Sequence, residues 1–440
     1  MNRLSTQALA AGLALAVAGG ASHATCVNPE PLRFRDDGTF RILQITDTQD
    51  DQLIDFRTPE LIKRAIEEEK PDLVVCSGDC ITGGQIRSDQ DVRDAIDAYI
   101  RPVEEAGIPF IIAFGNHDED AHVRGDAPNM GEEAQLEYYR NNYTCNINKP
   151  SMPKITGTGN MVTFVYGSTR EPGKRREPKL AIWALDSGRY APNPIAGQRI
   201  NFNDNGWDWI RQDQVQWYRD TSERFERIYK RKIPGIMFFH IPLFEFDTMW
   251  IVDKGLFGLE DVVPPTEAGR YAVEEERHEC VCTGPFNSAL YAAAQERGDV
   301  LGMFVGHDHI NNYVGNFHGI LLGYGASSGF GPYGFSGNER NRLRGVRVHD
   351  FVESDVSAYA TDMSTYFKRA GEDYGMCLAP DPADCNGDAY YPWAPAPAPA
   401  QLSAHGLAPA VEEDRDQEWK RQADGSVRAV GSVVREAAAR

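Results

Sequence analysis

Ile111-Ile112-Ala113-Phe114-Gly115-Asn116-His117-Asp118 decides how this chain folds. A short apolar run bounded by Pro109 and Gly115 reads as a buried strand of a parallel sheet. It breaks off into residues that make a poor core and a good site. Gly115 permits a tight turn. Asn116 offers a neutral amide oxygen, His117 a proton near neutral pH, and Asp118 a carboxylate to hold the imidazole in place. Open α/β sheets place their ligands beyond the carboxyl ends of such strands.

Working outward, the same pattern recurs on both sides. Upstream, Phe40 to Thr46 is a strand that delivers Asp47-Thr48-Gln49-Asp50, and Asp72 to Cys76 is a strand that delivers Ser77-Gly78-Asp79. Between them Thr58-Pro59 opens a helix, Thr58 as its N-cap, with a stripe of Leu61, Ile62, Ala65 and Ile66. Pro71 stops it. A second helix runs from Ser88 to about Ala106. The Asp47 to Asp79 spacing is that of one strand-helix-strand unit of roughly 30 residues, so parallel strands gather Asp47, Asp79 and Asn116 at one sheet edge. Downstream, Met161 to Tyr166 and Leu180 to Leu185 read as strands, and Gln212 to Tyr229 as an amphipathic helix. Gly235 to Phe239 is a strand that delivers His240. Glu245 to Thr283 reads as irregular, Asn287 to Arg297 as helix. Val300 to Val305 is a strand that delivers Gly306-His307-Asp308-His309. Tyr313 to Phe317 and Gly319 to Tyr324 alternate like a hairpin before the glycine-rich Gly325 to Gly337.

The termini differ in kind. Met1 to Ala24 has one positive charge at Arg3, an apolar run from Ala8 to Ala18, and Ser22-His23-Ala24 as a cleavage site: a signal peptide, which predicts a secreted or periplasmic protein. The run is too short to span a bilayer, and no later stretch is apolar for long enough. Residues 25–390 are expected to form the domain. From Tyr391 onward Ala-Pro repeats mark a linker, followed by a charged peripheral tail with one helix.

The chain of 440 residues carries 45 Lys plus Arg against 65 Asp plus Glu, a formal net charge of −20. That disfavours nonspecific binding to nucleic acid or anionic lipid. A phosphate-handling protein of this charge needs local positive charge, most simply bound metal. Its eight cysteines are even in number, so in an exported chain disulfides are expected. Cys280-Val281-Cys282 lacks the second half of a zinc knuckle.

Asp47, Gln49, Asp79, Asn116, His240, His307 and His309 each lie just past an apolar strand. Such oxygen and imidazole donors suit Mn²⁺, Fe²⁺, Zn²⁺ or Mg²⁺. Singly, each has an ordinary explanation, a helix cap for an aspartate or a satisfied surface position for a histidine; their shared placement is what carries weight. The ordered motifs Asp-x-Gln, Gly-Asp, Gly-Asn-His-Asp, a lone His and Gly-His-x-His resemble the calcineurin-like metallophosphoesterases, across about Phe40 to Gly334. His240 to Phe246, Leu185 to Gly188 and Gly329 to Gly334 are most similar to the branch related to plant purple acid phosphatases but lacking their N-terminal domain.

That resemblance implies a four-layer α/β/β/α sandwich of two mixed sheets with a two-metal site at one edge. It assigns Asp47, Gln49, Asp79 and His309 to the first ion and Asp79, Asn116, His240 and His307 to the second, with Asp79 bridging. It also implies hydrolysis of phosphate monoesters by a metal-bridging hydroxide, with His117 as general acid and Asp118 behind it. A phosphodiesterase or nucleotide diphosphatase on the same metals is the alternative, and a non-catalytic metal-binding protein a third. Two departures matter. Thr82 stands where purple acid phosphatases carry their iron-ligating tyrosine, so a colourless protein is expected. Gln49 replaces the usual histidine, so either it binds nothing and the first site is weak, or its amide oxygen is a ligand and Mn²⁺ or Fe²⁺ is favoured over Zn²⁺ or Mg²⁺. The manganese-dependent ADP-ribose and CDP-alcohol diphosphatases also carry glutamine there, which favours the amide ligand. Arg189, Tyr324, Phe330 and Tyr333 lie in loops that could line a pocket for a small phosphorylated substrate.

Overall fold

A computed structural model describes Cys26, residues 31–82, 86–123, 129–169, 177–200, 206–254, 269–357 and 363–379, and the backbone of 419–421 and 427–429. The signal segment, the Ala-Pro linker, Cys385 and the boundary at residue 390 lie outside the described residues.

Two sheets form the centre. β1 (Thr39–Ile45), β2 (Leu73–Ser77) and β3 (Phe110–Ala113) are parallel neighbours in the first sheet. Its other edge is built from β10 (Gly345–Val352) and β11 (Met363–Arg369), both antiparallel to their neighbours. The second sheet has the order β4 (Met161–Tyr166), β5 (Pro178–Ala184), β6 (Gly235–Phe238), β7 (Val300–Val305), β9 (Ile320–Tyr324), β8 (Val314–Phe317). Phe40, Ile42, Val75 and Ile111 of one sheet meet Ile182, Ile236, Phe238 and Phe304 of the other in a shared buried core. The outer face of the first sheet is covered by α1 (Arg57–Glu69), α2 (Asp89–Glu105) and α4 (Glu132–Asn142). α5 (Gln212–Tyr229), α6 (Phe244–Lys254) and α7 (Leu290–Arg297) cover the second. The result is the expected α/β/β/α sandwich, because each sheet has two apolar faces and each needs a cover.

Register gathers the site. Ile45 pairs with Cys76, and Cys76 with Ile112, on one line across the first sheet. Ala184 pairs with Phe238, and Phe238 with Phe304, across the second. Asp47, Asp79, Asn116, His240 and His307 follow these positions within a few residues, so all emerge at the same end.

Several local expectations are corrected. Thr58 is not the N-cap of α1: Phe56 holds that position without a capping side chain. The Thr58 hydroxyl instead donates to Asp50 at 2.5 Å and accepts from the Phe330 amide, which stitches the helix start to the loop after β1. Ser88 does cap α2, accepting from the Asp91 amide at 3.1 Å. The helix expected from Asn287 begins at Leu290, since Asn287 Oδ1 accepts from the Ala289 amide and holds a turn there. The stretch from Glu245, expected to be irregular, starts with α6. The tail contributes two short antiparallel strands, β12 (Trp419–Arg421) and β13 (Val427–Ala429), where one helix was expected. Cys26 and Cys145 are disulfide-bonded, and Cys377 is bonded as well. No helix among the described residues is long and apolar enough to cross a membrane.

Candidate metal centre

Asp47, Gln49, Asp79 and His307 all have positive φ, at 50°, 41°, 51° and 76°. Non-glycine residues adopt that region at a cost of order 1 kcal/mol each, and strain of this kind collects at sites where side chains must be aimed. Close packing of the loops enforces it. A Cβ at Gly115 would come within 2.4 Å of the Asp79 amide, and one at Gly306 within 2.4 Å of Asp47 Oδ2. Behind Asp47 the Ser327 hydroxyl donates to its carbonyl at 2.8 Å, and the Ser328 amide donates to Thr46 O.

The side chains converge as two triads of donor atoms, Asp79 with His240 and His307, and Asp47 with Asp79 and His309, each within 4.8 Å. Asp79 belongs to both, the place expected of a bridge. His240 Nε2 lies 3.0 Å from Asp79 Oδ2, and His309 Nε2 lies 3.3 Å from Asp47 Oδ1. The His307 amide donates to both oxygens of Asp47, at 3.2 and 3.1 Å. Asn116 is fully buried, yet neither its Oδ1 nor its Nδ2 makes a hydrogen bond; His307 Nε2 and His309 Nδ1 are equally orphaned. Buried polar atoms without partners are costly, about 1–3 kcal/mol each. Cations are the partners that oxygen and imidazole donors in this arrangement fit.

Charge follows position. Burial would raise the Asp79 carboxyl, but the charges of His240 and His117 carry it well below the usual carboxylate range. Burial would lower His240, but Asp79 and Asp47 push it up to about 10. His307 and His309 are driven down, chiefly by burial.

Gln49 reaches the cluster, with its Nε2 2.9 Å from Asp79 Oδ2 and 3.2 Å from His309 Nε2. As placed, the amide donates toward the carboxylate; a half-turn of the terminal amide would present its oxygen at the same point.

Asp118 is not behind His117. Its carboxylate accepts from the amides of Gly115, Asp79, Cys80 and Ile81 at 2.7–3.1 Å, and so clamps the loops after β2 and β3 together. The partner of His117 is Asp120, whose Oδ2 lies 2.6 Å from Nδ1. Asp120 opens the short helix α3 (Asp120–Val123). Arg189 donates to Asp120 and, through Nε, to Asn116 O at 3.0 Å. The signal for Asp120 was a carboxylate three residues after a histidine, one helical turn away, overshadowed by the adjacent Asp118. Burial would lower His117, but the charge of Asp79 and the hydrogen bond to Asp120 hold it above its ordinary value.

Of the loop residues expected to line a pocket, Arg189 is placed as described. Tyr333 stacks on His309 at 4.1 Å between centroids, and its hydroxyl donates to Glu279. Phe330 is instead buried beneath Arg57, and Tyr324 is buried with its hydroxyl on Asp308. Trp207, not anticipated, packs edge-on against His307 at 4.5 Å and stacks on Tyr190.

Comparison with known proteins places the chain in a family. A probable inactive purple acid phosphatase 14 from Arabidopsis thaliana is 30% identical over 344 residues, covering 72% of this chain and 77% of that one. A probable inactive purple acid phosphatase 29 from the same plant is 30% identical over 354 residues, covering 73% and 82%. A dimetal phosphatase from Danio rerio is similar in structure with a TM-score of 0.38 at 14% identity, covering 65% of this chain and 86% of that one. The family model for calcineurin-like phosphoesterases matches residues 40–311, which hold all seven candidate ligands together with His117, Asp120 and Arg189, and the chain belongs to that family.

Proposed function

We propose that this protein is an exported metal-dependent phosphomonoesterase. The observation that carries the reading is the pair of donor triads sharing Asp79, with the orphaned amide of Asn116 beside them. Asp47, Gln49, Asp79 and His309 would hold one divalent ion and Asp79, Asn116, His240 and His307 the other, with Mn²⁺ or Fe²⁺ favoured by the oxygen-rich first site. When bound, such ions neutralise phosphoryl oxygens and make water a usable nucleophile near neutral pH.

The chain's own residues supply the rest. His117 is 31% exposed in its side chain and so reaches solvent from the edge of the centre. Asp120 engages Nδ1, which leaves Nε2 as the nitrogen that donates a proton to a departing alkoxide. Arg189 fixes Asp120 and the backbone of Asn116 at once, coupling the acid to the second metal position. No side-chain nucleophile is required, so direct transfer to water is expected.

The names of the two plant relatives mark them as probable inactive, and Gln49 donating to Asp79 is the feature here that favours a non-catalytic reading. Against it stand the His117–Asp120–Arg189 array and a ligand set otherwise complete. A diesterase or nucleotide diphosphatase remains the alternative on the same residues. Export is supported by the N-terminal segment and by the Cys26–Cys145 disulfide, a bond of oxidising compartments. The test is hydrolysis of a panel of phosphate mono- and diesters by metal-stripped protein reloaded with Mn²⁺, Fe²⁺, Zn²⁺ or Mg²⁺. Preference for monoesters is expected, preference for diesters selects the alternative, and no metal-dependent hydrolysis refutes both.

A further inference from the structure

Cys280 and Cys282 face one another across Val281 with their sulfurs 3.2 Å apart and no bond between them. Cys280 is exposed and Cys282 half-buried, whereas the other free pair, Cys76 and Cys80, is buried. The segment is fastened to the ligand loop from both sides. The Cys282 amide donates to Asp308 at 3.2 Å, and Asp308 stands between His307 and His309. Glu279 accepts from the Ile310 amide at 2.7 Å through Oε1 and from Tyr333, the ring stacked on His309, at 2.6 Å through Oε2. Hydrogen bonding from Cys282 also lowers the Cys280 thiol, which favours the nucleophilic thiolate at the more exposed sulfur.

We propose that Cys280 and Cys282 form a reversible dithiol–disulfide couple that exchanges with low-molecular-weight disulfides and alters the metal affinity of the neighbouring His307–His309 loop. The Cys280 thiolate attacks one sulfur of the small disulfide and expels one thiolate, giving a mixed disulfide. Cys282 then loses its proton to solvent and attacks the Cys280 sulfur, expelling the second thiolate. Two protein thiols are oxidised, and one small disulfide is reduced to two thiols. Closure to the bonded distance of about 2.05 Å draws the sulfurs together by about 1 Å. That movement is carried to Asp308 by the Cys282 amide and to His309 by Glu279 and Tyr333. A bridge between residues so close in sequence, and exposed, belongs to the readily reduced class.

The test uses the full chain equilibrated across reduced-to-oxidised glutathione ratios, then alkylated and analysed by mass spectrometry. The peptide holding residues 280–282 should pass from two alkylated thiols to an internal disulfide and return with reductant, while Cys76 and Cys80 stay reduced. Manganese titration calorimetry should then give dissociation constants at least threefold apart for the two forms, and no redox dependence in Cys280→Ser or Cys282→Ser. Both thiols remaining alkylatable at every ratio, or a bridge that native reduction cannot open, would overturn the couple. Equal affinities in the two wild-type forms would overturn its coupling to the ligand loop. The alkylation measurement does not depend on phosphoesterase activity, whereas absence of Mn²⁺ binding in both forms would overturn the coupling and the metal-site reading together.

Discussion

Replacing Asp120 by Asn removes one negative charge and one acceptor from His117 while keeping the volume. The bond at stake is the 2.6 Å contact between Nδ1 and Oδ2, with Asp120 held from behind by Arg189. Two carboxylates raise the imidazole, Asp79 and Asp120, against the lowering effect of burial. Once cations sit on Asp79 its charge is offset, so Asp120 is the raising partner that persists in the loaded protein. Its loss should lower the His117 pKa and hold the ring less firmly, because the amide oxygen left to accept from Nδ1 carries no charge. Carboxylates that orient metal-ligating histidines are typically worth about 10–100-fold, and the same order applies here because Asp120 likewise fixes the ring and its tautomer. We expect that loss in kcat/KM for an alkyl phosphate, a smaller loss for 4-nitrophenyl phosphate, whose leaving group needs less protonation, and a basic limb of the pH profile moved to lower pH. The sign for stability is the same. A histidine raised in the folded state stabilises fully below its unfolded value and loses that contribution as pH rises, so Asp120→Asn should destabilise more at pH 5.5 than at pH 9. Asp118→Asn is the control: it disturbs the carboxylate that accepts four backbone amides, and should cost about 2–4 kcal/mol in urea unfolding without moving the basic limb. Equal losses on both esters with an unmoved limb in Asp120→Asn would refute the reasoning, and a moved limb in Asp118→Asn would return the role to Asp118.

Asp79→Ala should lose both ions together, whereas Asn116→Ala should weaken mainly one, as elemental analysis after dialysis would show; two ions retained without Asp79 place the bridge elsewhere. Gln49→His should shift reactivation of stripped protein toward Zn²⁺ and Gln49→Ala should weaken one site, and superimposable Mn²⁺ and Zn²⁺ titrations for all three proteins would mean that Gln49 is not a ligand. His240, raised to about 10 by Asp79 and Asp47, must surrender its proton to a metal, so binding at pH 7 should release protons and tighten as pH rises; calorimetry in buffers of different ionisation enthalpy reads this directly, and zero release would contradict it. In metal-free protein the same shift gives a stability contribution complete below about pH 6.5 and lost as pH approaches 10.

Much of the centre was legible because chemistry and periodicity coincided. Each ligand candidate follows a short run that is buried on both faces, as parallel strands between helices must be, and a polar residue after such a run stands out. The central strands of both sheets are legible for that reason and α5 by its amphipathic stripe, whereas the division of the strands into two sheets is what the family resemblance implies. What the sequence concealed was polar by necessity. β10 reads Gly-Val-Arg-Val-His-Asp-Phe-Val, and nothing in that pattern announces a buried strand. Yet Arg347 is fully buried, donating to Tyr324 O at 2.7 Å, and His349 lies against Phe304 with Nε2 3.3 Å from Gln44 Oε1. Their partners lie hundreds of residues away or on the other sheet, so no local window contains the reason for their burial. α6 was hidden differently. Phe246, Met249 and Asp253 are buried and Trp250 packs beside them on Tyr313, but the exposed Phe244 and the half-buried Ile251 put apolar residues on other faces as well, so no amphipathic pattern shows. The exchange of Asp118 for Asp120 has the same origin. Sequence adjacency made Asp118 the natural partner of His117, but consecutive side chains on a turn diverge. A residue one helical turn along comes back to the same side. Asp118, directed away, meets the row of amides exposed where two strands end, and serves the site by fixing its loops. The partner of His117 is therefore chosen by backbone geometry, which leaves Asp118 and Asp120 chemically alike and structurally distinct.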